Sequence, residues 1–416
     1  MILKNGRLID PLTGRDEIVD IEIIDGIISK IGQINKSGID LKQKVIAPGF
    51  VDIHVHFRDP GQTYKEDLHS GAKSAARGGY TSVICMANTL PRIDSVNVLD
   101  DLISRAKSED INIYTVSALT KDFNGKDLVD MEEMVKHGAV GFSDDGIPDR
   151  NTDVVFKAME IAKSLDVPIS FHEEDPSLIK NNGINHGKIS DKIGIYGSPS
   201  VAEDVLVARD CALCLYTGAK VDIQHISSGT AADYVRMAKK NGANIFAEVT
   251  PHHFTLNEEA LLKYKSLAKM NPPLRTETDR LKIIEAIKDD TIEIIATDHA
   301  PHSKEEKGKD LLNAPSGIIG LETALGLGIR ELVNKGHISL NKLIEKMTIN
   351  PARLYKLDCG YIKEGKSADL VIFDPDEIWK VSDFSSKSSN SPFLGEELPG
   401  KIYYTICNGK IVYENN

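Results

Sequence analysis

The chain has 416 residues, of which 41% are hydrophobic and 27% charged, which is the make-up of a globular protein with room for one large domain and a smaller one. Its formal net charge of −12 argues against a nucleic acid or an anionic membrane surface as partner, so a small anionic substrate needs local positive charge from arginine or a metal. No run approaches the ~18 apolar residues of a membrane helix. No apolar leader follows Met1, and five scattered cysteines do not suggest a disulfide framework, so a cytoplasmic protein is expected.

In chain order, "MILKNGRLID" and "EIVDIEIIDGIISKIG" read as strands, and Asn5-Gly6 carries a hairpin signal because both turn positions need positive φ. From residue 49 onward, short β-rich runs alternate with helical stretches. The expected strands are Val51–His56, Thr81–Cys85, Ile111–Val116, Ala139–Phe142, Pro168–Phe171, Val221–Gln224, Asn244–Glu248 and Ile292–Ala296. Between them, "YKEDLHSGAKSAARGG", "VVFKAMEIAKSLD" and "TDRLKIIEAIKDD" have helical patterns, and Cys211 and Cys214 form a lone CxxC on a helix that reads as core. "ADLVIFD" and "YYTICNGKIVYE" then return to strands, with a second Asn-Gly at 408–409. The expected architecture is a closed (β/α)8 TIM-type barrel over residues 49–356. A small β-sandwich is expected from both termini, residues 1–48 and 357–416. An open doubly wound sheet is the alternative, but no GxGxxG follows any strand.

The chemistry sits at the C-terminal strand ends, where such barrels carry active groups. In "GFVDIHVHFRDPG", His54 and His56 are two apart on a strand and share a face. "GFSDDG" brings Asp144 and Asp145 after the fourth strand, and "ISFHEED" ends the fifth with His172. "VDIQHIS" ends the sixth with His225, and "IIATDHAPH" ends the eighth with Asp298, followed by His299 and His302. Imidazoles and carboxylates gathered at five strand ends are enough for two borderline divalent ions such as zinc. Two such ions bridge and sharpen a hydroxide, and a carboxylate beside it, Asp298, takes and returns a proton.

With those motifs in place, and with "MANTLPRIDS" and "MNPPLR" in the same order, the chain resembles the class I dihydroorotases of the amidohydrolase superfamily over nearly its whole length. The resemblance implies interconversion of N-carbamoyl-L-aspartate and (S)-dihydroorotate in pyrimidine biosynthesis, with two zinc ions per subunit. It places His54 and His56 on one ion, His172 and His225 on the other, Asp145 as the bridge and Asp298 as ligand and acid/base. Asp144 is the other choice for the bridge, with capping of its loop as its ordinary role. Substrate contacts are implied for His56, for Arg58, Asn88 and His302 at the α-carboxylate, and for Asn271 with the Ser316–Gly317 backbone at the ureide ring. A salt bridge to Asp59 or Glu66 is the ordinary alternative for Arg58, a turn position that for Asn88, and an exposed loop position that for His302. Family members usually carry proline where Ala87 stands and often phenylalanine where Ser316 stands. A homodimer and an association with aspartate carbamoyltransferase follow from the resemblance alone.

Segment 303–317, "SKEEKGKDLLNAPSG", reads either as a solvated loop or as a lid that closes over substrate. One of His252 and His253 is expected to orient a ligand. Two rivals stand against the dihydroorotase reading. One is another cyclic amidase (hydantoinase, dihydropyrimidinase or allantoinase), whose carboxylate-free substrates do not need Arg58. The other is a non-catalytic scaffold for the carbamoyltransferase, which would have lost metal ligands that this chain retains.

Overall fold

A computed structural model describes residues 1–415. Phe50–Val55, Tyr80–Cys85 and Asn112–Thr115 pair in parallel, and Ile169–Phe171, Val221–Ile223, Ile245–Val249 and Ile294–Ile295 form a second parallel run. Bridges Ser117–Phe142 and Phe142–Ile169 close one seam and Val55–His299 the other, so the two runs become a single (β/α)8 barrel. Every residue of Phe50–Val55 and Tyr80–Cys85 is buried. That is the mark of parallel strands covered on both faces, so the polar members of these strands, Asp52 and His54 among them, are buried as well and need partners inside.

The expected fourth strand, Ala139–Phe142, is reduced to the bridging residue Phe142, although its ladder is present. Val140 N–H donates to the Thr115 carbonyl (3.1 Å), and Phe142 N–H to the Pro168 carbonyl (3.2 Å). Gly138 at φ 104° enters the segment from the left-handed region, which leaves no length for a regular strand. The helices that cover the barrel start at side-chain caps. Leu68–Arg77 begins at Asp67, Thr152–Leu165 at Asn151, and Glu277–Lys288 at Thr276, whose hydroxyl accepts from the Asp279 N–H.

The termini meet in one eight-stranded sheet. Its main path pairs Lys410–Glu414, Lys401–Cys407, Leu370–Asp374, Val45–Pro48, Ile2–Asp10, Arg15–Ile24 and Ile27–Gly32 in that order. Leu3, Leu8, Ile21, Ile46, Leu370, Ile372 and Ile406 form a core of their own there, separate from that of the barrel. Val45–Pro48 runs into the first barrel strand through Gly49, where a Cβ would lie 2.1 Å from Thr81 Oγ1, so the first barrel strand is anchored directly to this layer. The two Asn-Gly pairs diverge. Asn408-Gly409 makes the expected hairpin (φ 50° and 73°), whereas Asn5 (φ 54°) makes a bulge inside one continuous strand, Ile2–Asp10. The Asn5 N–H donates to Asp20 Oδ1 on the next strand (3.0 Å), which holds the bulge in place and overrides the turn signal.

Candidate active site

The strand pleat sets the first three residues. Asp52, His54 and His56 alternate along one buried strand, so their side chains share a face and rise in steps toward the barrel mouth. Asp52 accepts the His54 N–H (3.0 Å) and the Thr297 N–H (3.2 Å), tying the first strand to the eighth, and its burial raises its pKa to about 7. His54 Nδ1 lies 3.1 Å from Glu248 Oε2 at the end of the seventh strand. An Nδ1–H given to that carboxylate leaves the Nε2 lone pair facing the mouth.

Asp145 stands at the centre. Its Oδ1 is 3.4 Å from His54 Nε2, 3.6 Å from His172 Nδ1 and 3.7 Å from His225 Nε2, and its Oδ2 is 3.5 Å from His56 Nε2. Asp298 Oδ1 approaches His56 Nε2 at 3.0 Å and His54 Nε2 at 3.6 Å. Burial would raise both carboxyls, yet the surrounding imidazoles hold Asp145 and Asp298 below the ordinary carboxylate range, so both are ionised acceptors. Asp144 turns the other way, accepting from the backbone N–H of Leu119 and Thr120 and from the Thr120 hydroxyl, which is the capping role.

Two groups of ligand atoms can each hold a metal ion: His54, His56 and Asp298, and His54, Asp145 and His225. The donor chemistry fits. His54 Nε2 and Asp145 Oδ1 are buried and lack a hydrogen-bond partner, while His172 Nδ1 and His225 Nε2 approach to 2.8 Å. Two imidazole nitrogens that close repel unless a proton or a cation lies between or beside them. His172 Nε2 lies 3.3 Å from the Asn271 amide and 3.7 Å from Glu174 Oε2. The amide oxygen, after a half-turn of Asn271, accepts an Nε2–H there and frees Nδ1 for a metal, while Glu174 lies just beyond hydrogen-bond distance and adds its negative field. Three of these residues pay in backbone strain: Arg58 (φ 57°), His225 (φ 33°) and Asp298 (φ 48°) all have left-handed backbones, each costing of order 1 kcal/mol, as functional positions often do.

The remaining site candidates come from loops. A cavity of about 120 Å³ is lined by His56, Arg58, Asn88, Asp145, His172, His225, Asn271, Asp298, Ser316 and Gly317. His54 lies beneath it, fully buried, and His302 reaches its edge through a 2.8 Å hydrogen bond from Nε2 to the Ser316 carbonyl. Burial, with Arg58 and Lys65 nearby, lowers His302 to about 2, so its imidazole is neutral. Neither ionic alternative for Arg58 occurs. Asp59 pairs with Arg105 at 2.7 Å and Glu66 bonds Ser70 and Ser386, while Arg58 Nε donates to the Pro301 carbonyl at 3.2 Å. Among the described residues no carboxylate lies within 4.0 Å of the Arg58 guanidinium. Asn88 Oδ1 accepts from His56 Nδ1 (2.9 Å) and its Nδ2 donates to Asp145 Oδ2 (3.0 Å), so Asn88 braces two ligand candidates as well as lining the cavity. The Gly317 N–H is already given to the Lys269 carbonyl at 2.9 Å.

Residues 45–412 match the Amidohydrolase family. The chain is 58% identical over 418 residues to the dihydroorotase of Clostridioides difficile (strain 630), with 99% of each covered. It is 53% identical over 423 residues to that of Clostridium acetobutylicum, with all of both covered. The chain belongs to the dihydroorotases of the amidohydrolase family. Among solved structures, the L-hydantoinase (dihydropyrimidinase) of Arthrobacter aurescens has a TM-score of 0.88 at 24% identity, covering 99% of this chain and 96% of its own, and so shares the fold.

Two residues of this dihydroorotase-family site have no counterpart among the sequence expectations. Asp52 and Glu248 hold His54 from below. Asp52 was legible in the alternation "VDIHVH", and Glu248, at the end of "NIFAEV", had no partner nearby in sequence to reveal it. His253 Nδ1 meets Thr250 Oγ1 (2.8 Å) and its Nε2 donates to the Pro272 carbonyl (3.1 Å), so it ties the seventh-strand loop to the segment carrying Asn271 rather than to a metal-ligand candidate. His252 is buried with Nε2 unpartnered, and burial lowers it to about 4. His299 turns away from the cavity, its Nδ1 accepting from the Gly320 N–H and its Nε2 facing Glu66. Cys211 and Cys214 are free and buried, as core residues are. No helix is long and apolar enough to cross a membrane.

Proposed function

We propose that this chain interconverts (S)-dihydroorotate and N-carbamoyl-L-aspartate at the cavity, with His54 and His56 holding one zinc ion, His172 and His225 a second, Asp145 between them and Asp298 on the first. One observation carries this reading. A single carboxylate, Asp145, faces four imidazoles, and an arginine without a carboxylate partner opens onto the same cavity. Bound there, the ions would supply a water acidified toward neutrality and a Lewis acid for the amide carbonyl. The protein's own groups do the rest.

Arg58 presents parallel N–H donors to the α-carboxylate of either substrate, helped by the second N–H of the Asn88 amide, while His302, its Nε2–H given to the Ser316 carbonyl, sets that peptide beside them. Asn271 and the Ser316–Gly317 backbone hold the ureide. Since the Gly317 N–H is already engaged, the Ser316 peptide is the better placed of the two. In ring opening, water oxygen bonds to the ring amide carbonyl and the C–N bond breaks. Asp298 takes one proton from that water and delivers it to the departing ring nitrogen, giving the carbamoyl group and a new carboxyl group, which ionises by releasing the second proton to solvent. In ring closure, Asp298 removes a proton from the carbamoyl nitrogen as it attacks the side-chain carboxyl, and water departs. A carboxylate-free dihydropyrimidine would leave the Arg58 charge half-buried and uncompensated, which disfavours the hydantoinase alternative.

The catalytic unit is taken as residues 49–356, flanked by the terminal β layer of 1–48 and 357–416. For self-association, the helix Val201–Thr217 exposes Val201, Val205, Leu215 and Tyr216, and the two helices packed on it expose Ile161 and Met237. A second copy would cover this face. Val205→Glu should convert a dimer to a monomer in light scattering, and an unchanged mass would remove this face from the assembly. The function itself is tested by ultraviolet assay of dihydroorotate and carbamoyl aspartate turnover beside dihydrouracil. Turnover of the first pair alone is expected, and preferential dihydrouracil hydrolysis would overturn the reading.

A further inference from the structure

Residues 308–317, whose last two members Ser316 and Gly317 line the cavity, form no helix or strand. Their inward carbonyls therefore need donors from elsewhere. Two lysines supply most of them, joined at the Gly317 carbonyl by Asn390 Nδ2 (3.1 Å). Lys269 Nζ donates to the Leu312 carbonyl (3.1 Å) and the Ala314 carbonyl (2.8 Å). Lys307 Nζ donates to the Pro315 and Gly317 carbonyls, both at 3.0 Å. The Ser316 carbonyl between them accepts from His302, and the Lys269 carbonyl accepts the Gly317 N–H, so the two strands of this clamp lock each other. Gly317, at φ 128°, lies so close to residue 300 that a Cβ would be 2.8 Å from Ala300 Cβ.

Both lysines are buried, 5–6% exposed, and among the described residues neither has a carboxylate within 4.0 Å. Burial, with Lys269 nearby, pushes Lys307 down to about 7. An ammonium buried without a counter-charge is costly. What the ammonium pair secures is a shape. Its loss has an outlet, because a cavity of about 820 Å³ lined by Tyr264, Lys307 and Leu311 flanks the same segment and leaves room for it to relax away from the site.

We propose that Lys269 and Lys307 are positioning residues for substrate recognition: two buried Nζ donors hold carbonyls of residues 312–317 so that the Ser316 peptide and His302 are set against the bound substrate. Neither lysine touches substrate. The proposal rests on the dihydroorotase reading for its kinetic consequence, though not for its structural one.

The test uses the full-length, metal-loaded protein with Lys307→Met and Lys269→Met. Expected is a rise of about 10- to 100-fold in KM for dihydroorotate, the size of losing hydrogen bonds to a charged group, with kcat and bound metal changed far less. Amide exchange should quicken in residues 308–317 and not in the barrel strands. Lys307→Arg, which retains the charge and its donors, should keep KM nearer to that of the parent. Should a methionine variant not fold, Lys307→Gln, which retains donors without charge, decides in its place. KM within about twofold of the parent in all variants, or kcat and KM altered only through lost folded fraction, overturns the proposal. If the parent itself does not turn over dihydroorotate, the functional reading fails separately. Amide exchange in 308–317 then decides the clamp alone, and exchange unchanged by the substitutions refutes it.

Discussion

The imidazole wall of the cavity and the wall opposite it are made in different ways. His54, His56, His172 and His225 stand on or just past barrel strands, where the pleat fixes which side chains converge and buried carboxylates such as Glu248 fix which ring nitrogen faces inward. Arg58, Asn88, Asn271, His302 and Ser316 come from loops. They are set by hydrogen bonds to other loops: Arg58 to Pro301, His302 to Ser316, and the Ser316 segment to two buried lysines. Chemistry common to many amide hydrolyses can reside on the rigid wall, while the choice of substrate resides on the one built from loops. Damage to the first should therefore remove turnover or metal, and damage to the second should move KM.

The strongest separation is expected from Asp298→Asn. Turnover in both directions should fall by about 10³-fold or more, the upper range for losing an acid/base group, even in protein reloaded to the parent's metal content by mass spectrometry. Retained activity would remove Asp298 from its role. Next comes Arg58→Met, for which initial-rate kinetics should give a KM rise of about 10²-fold, partly recovered by Arg58→Lys, since lysine keeps the charge and loses the paired geometry. An unchanged KM would place the substrate carboxylate elsewhere. Glu248→Gln, which touches His54 and no substrate, should weaken metal retention by about 10- to 100-fold in chelator competition. Equal affinity would break the link between that carboxylate and the ligand it orients. The smallest effect belongs to Asp144→Asn. Asp144 caps the Leu119–Thr120 backbone, so metal content should persist and turnover should drop only a few-fold, as for one weakened buried hydrogen bond. Its neighbour Asp145→Asn should lose bound metal and activity together. A reversed order within this pair would exchange their roles.

Most of the rigid wall was legible in sequence because period-2 alternation and strand-end position are local properties. His54 and His56 needed only each other, and Asp145 could be told from Asp144 by its place in a motif even though the strand expected before it is reduced to Phe142. What escaped was set by distant partners. Glu248 finds His54 from the far side of the barrel, 194 positions along the chain. Asn5-Gly6 carries the same turn signal as Asn408-Gly409, yet the register with Arg15–Ile24 makes it a bulge. Lys307 sits in a run that reads as solvated, "SKEEKGKD", and is buried because four carbonyls downstream require donors from it and Lys269.

The four histidines and two aspartates are proposed to form one metal-dependent catalytic centre. Chelator dialysis followed by zinc titration, with bound metal and dihydroorotate turnover read in parallel, tests it most directly. The account predicts that turnover vanishes with the metal and returns as zinc is restored toward two ions per chain. Full turnover by metal-free protein would contradict it.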